Sequence, residues 1–219
     1  MSIPGHSIVP LTADDIPTTT SFLQDSKLQL AINRFLIKDW PNEAVQRPLY
    51  QAAIEGGLKN PNTTSLKVVN DKSGETVGYF FFTKRGQPAP DEDKASKSKI
   101  ENAGQNVPPG LVPEVFHAVM KAVETLESDV QGEHLDVTHI YVKPSSRGQG
   151  IGTQLIQAAR DEAKSAGLPF IISAEPNHHD FFLNRGFRDE KHVDIDLSAW
   201  AAHNSGYGVF RISRMRMIE

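Results

Sequence analysis

The sequence predicts a single-domain α/β protein with a mixed sheet flanked by helices, on three observations. Strand-type and helix-type hydrophobic patterns alternate along 219 residues, a length that one core can serve. A hairpin signal occupies the first half of the chain. In the second half a glycine-rich loop joins a strand to an amphipathic helix. No internal repeat divides the chain.

HSIVPLT, His6 to Thr12, alternates weakly and reads as a first strand ahead of helix-start chemistry at Ala13 to Asp15. From Asp14 to Gly57 the composition is helical, expected in two or three pieces broken at Pro17, Pro41 and Pro48. Ser65 to Asn70 and Glu75 to Lys84 are β-rich runs joined by Asp71-Lys72-Ser73-Gly74, a hairpin. Residues 86–110 carry four prolines and many charges around Ile100 and Val107. They read as a flexible, solvated insertion, with a lid over a substrate as the functional alternative. Pro113 and Glu114 open a helix whose apolar spacing runs towards Gly132. His134 to Val142 is a strand closed by Pro144, and the next helix aligns Ile151, Leu155, Ile156, Ala159 and Ala163 before stopping at Gly167. Pro169 to Ala174 is a short buried-type strand, followed by a short helix over Asn177 to Asn184. Strands over Arg188 to Leu197 and Tyr207 to Met217 end the series.

Composition narrows the function. A formal net charge of -4 gives no basic footprint for nucleic acid. With no cysteine, a disulfide scaffold, a thiol nucleophile and thiolate zinc sites are excluded. The first residues lack a signal-peptide pattern, and no window has the apolar length of a membrane span, so the expectation is a cytoplasmic or nuclear protein without membrane partners.

The stretch PSSRGQGIGTQLIQAARDEA, Pro144 to Ala163, carries the chemistry. A phosphate loop of the Walker type needs a lysine after its last glycine, and Gly152 is followed by Thr153. A dinucleotide fingerprint needs GxGxxG early in a βαβ unit, whereas this loop spells GxGxG late in the chain. What remains is a strand, Arg147, and glycines that let backbone N–H groups crowd a pyrophosphate at a helix N-terminus. The bland alternative is a tight strand-to-helix turn with no ligand.

Val142-Lys143-Pro144-Ser145-Ser146-Arg147-Gly148-Gln149-Gly150-Ile151-Gly152 resembles the signature of the GNAT superfamily of acyl-CoA N-acyltransferases, Arg/Gln-x-x-Gly-x-Gly/Ala after a strand ending Val-x-Pro. Phe181 to Phe187 resembles that family's Phe-Tyr-x-x-x-Gly-Phe segment. The resemblance implies a GNAT-like mixed, mostly antiparallel central sheet. It also implies acetyl-CoA as acyl donor, with no metal, and an amine acceptor. Pyrophosphate contacts fall to the amides of Arg147, Gly148, Gln149, Gly150, Ile151, Gly152 and Thr153. The pantetheine arm falls to Ile140, Tyr141 and Val142, splayed from the neighbouring strand, with an amide near Val142 polarising the thioester carbonyl.

Two departures stand out. The family's tyrosine, often the acid that protonates the leaving thiolate, is Phe182 here, which leaves only packing to that position. The family's asparagine falls at Glu175, with Asn177 close by as the other cofactor-contact candidate. For the general base, the family's strand carboxylate falls at Asp136. Uninterrupted alternation gives Asp136 the parity of Thr138, Ile140 and Val142. A carboxylate that merely caps or pairs there is the alternative. Glu133 at the strand mouth would attract a cationic amine, and His139 is the next base candidate. Uninterrupted alternation also turns His134 away from His139.

His178 and His179 lack a third ligand at zinc-like spacing and read as a solvated helix start. The arginines of RISRMRMIE read as the wet face of a strand. Two function classes follow from these residues. The first is an enzyme that acetylates a primary amine by direct attack, of a small molecule first and of a protein or peptide as the alternative. The second is a non-catalytic acyl-CoA-binding regulatory domain, which Phe182 keeps open. Monomer and homodimer are both compatible with the sequence.

Overall fold

The structure, a computed structural model, describes residues 3–86 and 107–218, so most of the expected insertion at 86–110 lies outside the described residues. Seven strands form one sheet: β1 (His6–Pro10), β2 (Thr63–Asn70), β3 (Thr76–Arg85), β4 (His134–Val142), β5 (Phe170–Ala174), β6 (Phe187–Asp196) and β7 (Val209–Met217). Their order is β1-β2-β3-β4-β5-β7-β6. Every pairing is antiparallel except β4 with β5. The β2–β3 hairpin forms where its turn residues predict it, with Gly74 at φ 69°.

The helical region resolves into α1 (Ile16–Leu28), α2 (Asn33–Leu36) and α3 (Glu43–Lys59). Two of the expected proline breaks do not fall where sequence places them. Pro17 opens α1 rather than ending anything, as a first-turn proline should. Pro48 lies inside α3 without stopping it. Pro48 and Ala44, the residue four earlier whose carbonyl loses its partner, are both exposed on the outer face of the helix, where the missing bond costs least. The true break after α1 has no proline. There the Asn33 side chain donates to the Lys27 carbonyl at 2.8 Å and turns the chain.

On one face of the sheet, helix α5 (Ile151–Ala166) lays Ile151, Leu155, Ile156, Ala159 and Ala163 against Phe80, Phe82, Leu135 and Val137. Each fully buried isoleucine or leucine there contributes roughly 1.5–3 kcal/mol, and the alanines less. On the other face α1 and α3 bring Phe22, Leu23 and Ile54 against Tyr79, Phe81 and Tyr141. Helix α4 (Pro113–Glu127) covers the far strands, packing Val115, Ala122 and Leu126 on Ile195, Phe210 and Ile212. A short α6 (His179–Leu183) closes the end of β5.

Two irregularities shape the centre. Along β4, His139 pairs with Phe81 but Val137 pairs with Phe82, so Thr138 is an extra, bulged residue. The β4–β5 pairing runs only from Leu135 to Val137, opposite Phe170 to Ile172. Beyond it the two strands part.

Candidate active site

The glycine loop does its work through two different properties. Gly148 and Gly150 have φ of 77° and 80°, and a Cβ built on either meets nothing within 4 Å. They make left-handed turns that face open space. Gly152 has ordinary backbone, but a Cβ there would stand 3.0 Å from the Phe181 ring, so it is small in order to let α5 approach α6. The first amide satisfied inside α5 is that of Gln154, which donates to the Gly150 carbonyl at 3.0 Å. The N–H groups of Ile151, Gly152 and Thr153 therefore precede the ladder and add to the positive end of a 16-residue helix.

These groups open on a groove of about 510 Å³ whose wall includes Ile140, Tyr141 and Val142 of β4 and Asn177 and Phe182 beyond β5. The sequence-predicted cofactor residues thus converge, apart from the Gln149 side chain, which is exposed and outside the groove wall. Arg147 folds back, its Nε donating to the Val142 carbonyl at 3.0 Å and its guanidinium 5.9 Å from the Tyr141 ring. Asn177 lines the groove and donates to the Gln29 carbonyl at 3.2 Å, whereas Glu175 lies deeper, ion-paired with Lys27.

Arg185 is a groove residue that the sequence reading missed. It stacks 3.5 Å over the Phe181 ring and donates to Thr153 Oγ1 at 2.8 Å and 3.1 Å. The spacing Phe181 to Arg185 was the available signal, since i and i+4 share one side of a helical turn. Phe182 is 2% exposed, edge-on to Phe181 and Phe187 at 5.0 Å and 5.5 Å. Phe182→Ala is therefore expected to destabilise the protein by about 3–5 kcal/mol and to raise the KM for acetyl-CoA more than it lowers turnover. Thermal melts and steady-state kinetics check both parts; a thousandfold turnover loss with unaltered cofactor binding contradicts a packing role.

Where β4 and β5 part, a small cavity of about 90 Å³ is walled by residues including Ile140, Ala174, Phe182, Lys27, His139 and His178. Past it, towards α3 and α4, lies a third cavity of about 430 Å³ whose wall includes Thr83, Arg85, Asp136, Thr138, His139 and Ser173. Ile140, His178 and Phe182 are shared by the groove and the small cavity, and His139, Thr138 and Ser173 by the small cavity and the third. The three lie in a row across the parted sheet, each sharing wall residues with the next.

The bulge corrects the strand-parity expectation. Asp136 pairs with Thr83, His139 with Phe81 and Tyr141 with Tyr79, while Ile140 pairs with Phe80 and Val142 with Gly78. Asp136 consequently shares the face of His139 and Tyr141, not that of Ile140 and Val142, because the extra residue shifts the alternation. The same shift turns His134 and His139 to one face.

Asp136, with a side chain 17% exposed, pairs with Arg85 Nε at 2.7 Å. Burial pushes its carboxyl up to about 6, against the opposing pull of Arg85. His139 is pushed down to about 4 by burial, with Lys27 adding to the fall and Glu175 opposing it. It is neutral at pH 7, a proton acceptor. Glu133 pairs with Lys84 at 3.2 Å and is absent from the walls of all three cavities. His179 pairs with Asp189 at 2.8 Å, and among the described residues no group of three His, Asp or Glu is arranged to hold a metal ion.

Residues 115–189 match the model of the acetyltransferase (GNAT) domain. That stretch takes in β4, the glycine loop and α5. No curated protein matches the sequence. The fold is that of several solved amine acetyltransferases, all distant in sequence. An agmatine N-acetyltransferase variant in its apo form is 12% identical at a TM-score of 0.65, over 97% of this chain and 100% of that one. Arylalkylamine N-acetyltransferase 2 from Aedes aegypti is 13% identical at 0.66, over 97% of this chain and 98% of that one. The polyamine N-acetyltransferase of Drosophila melanogaster is 12% identical at 0.58, over 97% and 100%. This chain thus shares their mixed, mostly antiparallel open sheet.

Proposed function

We propose that this chain is an acyltransferase of the GNAT type that transfers an acetyl group from acetyl-CoA to the primary amine of a small molecule by direct attack. The observation that carries the reading is the row of neighbouring cavities, which runs from a pyrophosphate-type groove at the start of α5 to a pocket walled by His139 and Asp136. The free edge of β4 beyond Val137 offers unpaired backbone to the pantetheine arm, as an added strand. From Val142 to Thr138 is about 13 Å of strand, so the thioester end belongs near the bulge. The polarising amide is then nearer His139 and Ile140 than Val142.

The volumes support the choice of substrates. About 90 Å³ corresponds to the liquid volume of roughly three waters, room for a short acyl group and not for a long chain. The outer pocket of about 430 Å³ falls in the range of small-molecule sites. His139 borders both, so it takes the proton from the attacking nitrogen. Asp136 lies further out and steadies the incoming ammonium.

Thiol release measured across a panel of amines tests the reading, and a chain without cysteine adds no thiol background of its own. His139→Ala is expected to lower turnover by about a hundredfold or more, the range for a lost general base, with acetyl-CoA affinity intact. Asp136→Asn is expected to act mainly on the KM of the amine. Normal turnover in His139→Ala with a loss in Asp136→Asn reverses the two roles; no thiol above background with any amine leaves a binding domain.

A further inference from the structure

Acyl transfer needs a proton at sulfur as well as an acceptor at nitrogen, and position 182 has no hydroxyl to give one. The donor has to border the small cavity between the parted strands. His139 is held neutral and is an acceptor. Burial, with Lys27 and Arg147 adding to it, also lowers His178 against the pull of Glu175. The Tyr79 phenol is 1% exposed and raised well beyond its usual range by burial, which holds its proton tightly. Lys27 is different: its side chain reaches the same cavity and is ion-paired with Glu175.

Its position is defined from both sides. Its field acts on His139, at the acceptor end, and on His178, which also borders the cofactor groove. Its backbone is pinned at the end of α1, where the carbonyl accepts from Asn33 Nδ2 at 2.8 Å and from the Leu30 amide at 3.2 Å. An ammonium has three N–H groups, so the bond to Glu175 leaves others free for the cavity.

Resting on the acyl-transfer reading, we propose that Lys27 delivers the proton to the departing coenzyme A sulfur, with Glu175 keeping it charged and aimed. The amine nitrogen bonds to the thioester carbon, and the carbon–sulfur bond breaks with its electron pair on sulfur. A proton passes from Lys27 Nζ to that sulfur, and the nitrogen's proton passes to His139. Solvent then reprotonates Lys27 and takes the proton from His139. Amide and free thiol are the products, and no further reactant is needed.

The test uses the full chain and its best amine, with kcat followed over roughly pH 4 to 11.5, so that both limbs of the profile fall inside the range. Lys27→Met is expected to lose about a hundredfold or more in kcat, to keep its calorimetric affinity for coenzyme A, and to lose the alkaline limb of the profile. Lys27→Arg keeps the charge but not a releasable proton, and stays as slow. Glu175→Gln loses turnover, though less than Lys27→Met, and moves the alkaline limb to lower pH, since losing an opposite charge disfavours the ammonium. The proposal is overturned by an unchanged alkaline limb in Lys27→Met, by full turnover in Lys27→Arg, or by Glu175→Gln losing as much as Lys27→Met with its limb unmoved. Wild-type protein that releases no thiol with any amine instead fails the acyl-transfer reading itself, before any variant is made.

Discussion

Gly150→Val is expected to fold and to lose coenzyme A. A Cβ at position 150 meets no protein atom within 4 Å, so the substitution does not collide with the core. It does place a β-branched residue at φ 80°, which costs of order 1–3 kcal/mol, and it aims the new methyl groups into the groove that the α5 amides face. A phosphate kept from those amides forfeits charge-assisted hydrogen bonds worth roughly 1.5–3 kcal/mol each. Two such losses exceed a hundredfold in affinity, since about 1.4 kcal/mol is a factor of ten. Calorimetry with coenzyme A on a variant shown to be folded by circular dichroism is the measurement. Unchanged affinity there means that the glycine loop is only a tight turn.

The second large effect is a pair of opposed pH dependences in stability, carried by Asp136 and His139. The folded carboxyl titrates near 6 against an ordinary 3.8, with Arg85, Glu127 and His134 as its charged neighbours. Between those values the native state holds a proton that the unfolded chain has released, so stability falls as pH rises through this window. The folded imidazole titrates near 4 against an ordinary 6.5, under Lys27 and Glu175. Here the unfolded chain holds the extra proton, and stability rises with pH across nearly the same window. Each contribution is roughly 3 kcal/mol at about 1.36 kcal/mol per unit, so in the wild type they offset one another. Asp136→Asn is expected to expose the histidine slope, with stability climbing from about pH 4 to 6.5. His139→Gln is expected to expose the opposite slope over roughly the same interval. Carboxylates held low by their partners, such as Asp15 beside Lys67 and Asp129 beside Arg214, add their slopes further down the scale. Urea unfolding at a series of pH values reads all three proteins. Parallel curves for wild type and both variants mean that these two groups are not buried as described.

Legibility in the sequence followed the physics of each feature. The hairpin around Gly74, the α5 stripe ending at Gly167 and the strand from His134 were readable because their signals are local: turn chemistry, helical spacing, a cap. The convergence of the glycine loop with Ile140, Asn177 and Phe182 followed from the family signature, since the motif determines where its neighbours go. Pro48 was misread because the cost of a helix proline depends on whether a carbonyl one turn back faces water, which spacing does not reveal. The face of Asp136 was misread for a related reason. Thr138 is an ordinary strand residue by composition, and only pairing with β3 exposes it as surplus. Lys27 and Glu175 lie far apart in the chain, and their meeting in the cavity depends on where α1 ends, a turn made by Asn33 and not by any breaker residue.

The short β4–β5 pairing has a mechanical consequence. The sheet is two plates, β1 to β4 and β5 with β7 and β6, riveted together between Leu135 and Val137 and otherwise bridged by helices. Such a seam is the natural line of weakness, where amide exchange is fastest within an otherwise protected sheet. A ligand lying along it as an extra strand supplies the missing rungs to both plates at once. Coenzyme A should then behave as a structural clamp, raising the melting temperature with its concentration and slowing exchange on β4 and β5 more than on the outer strands.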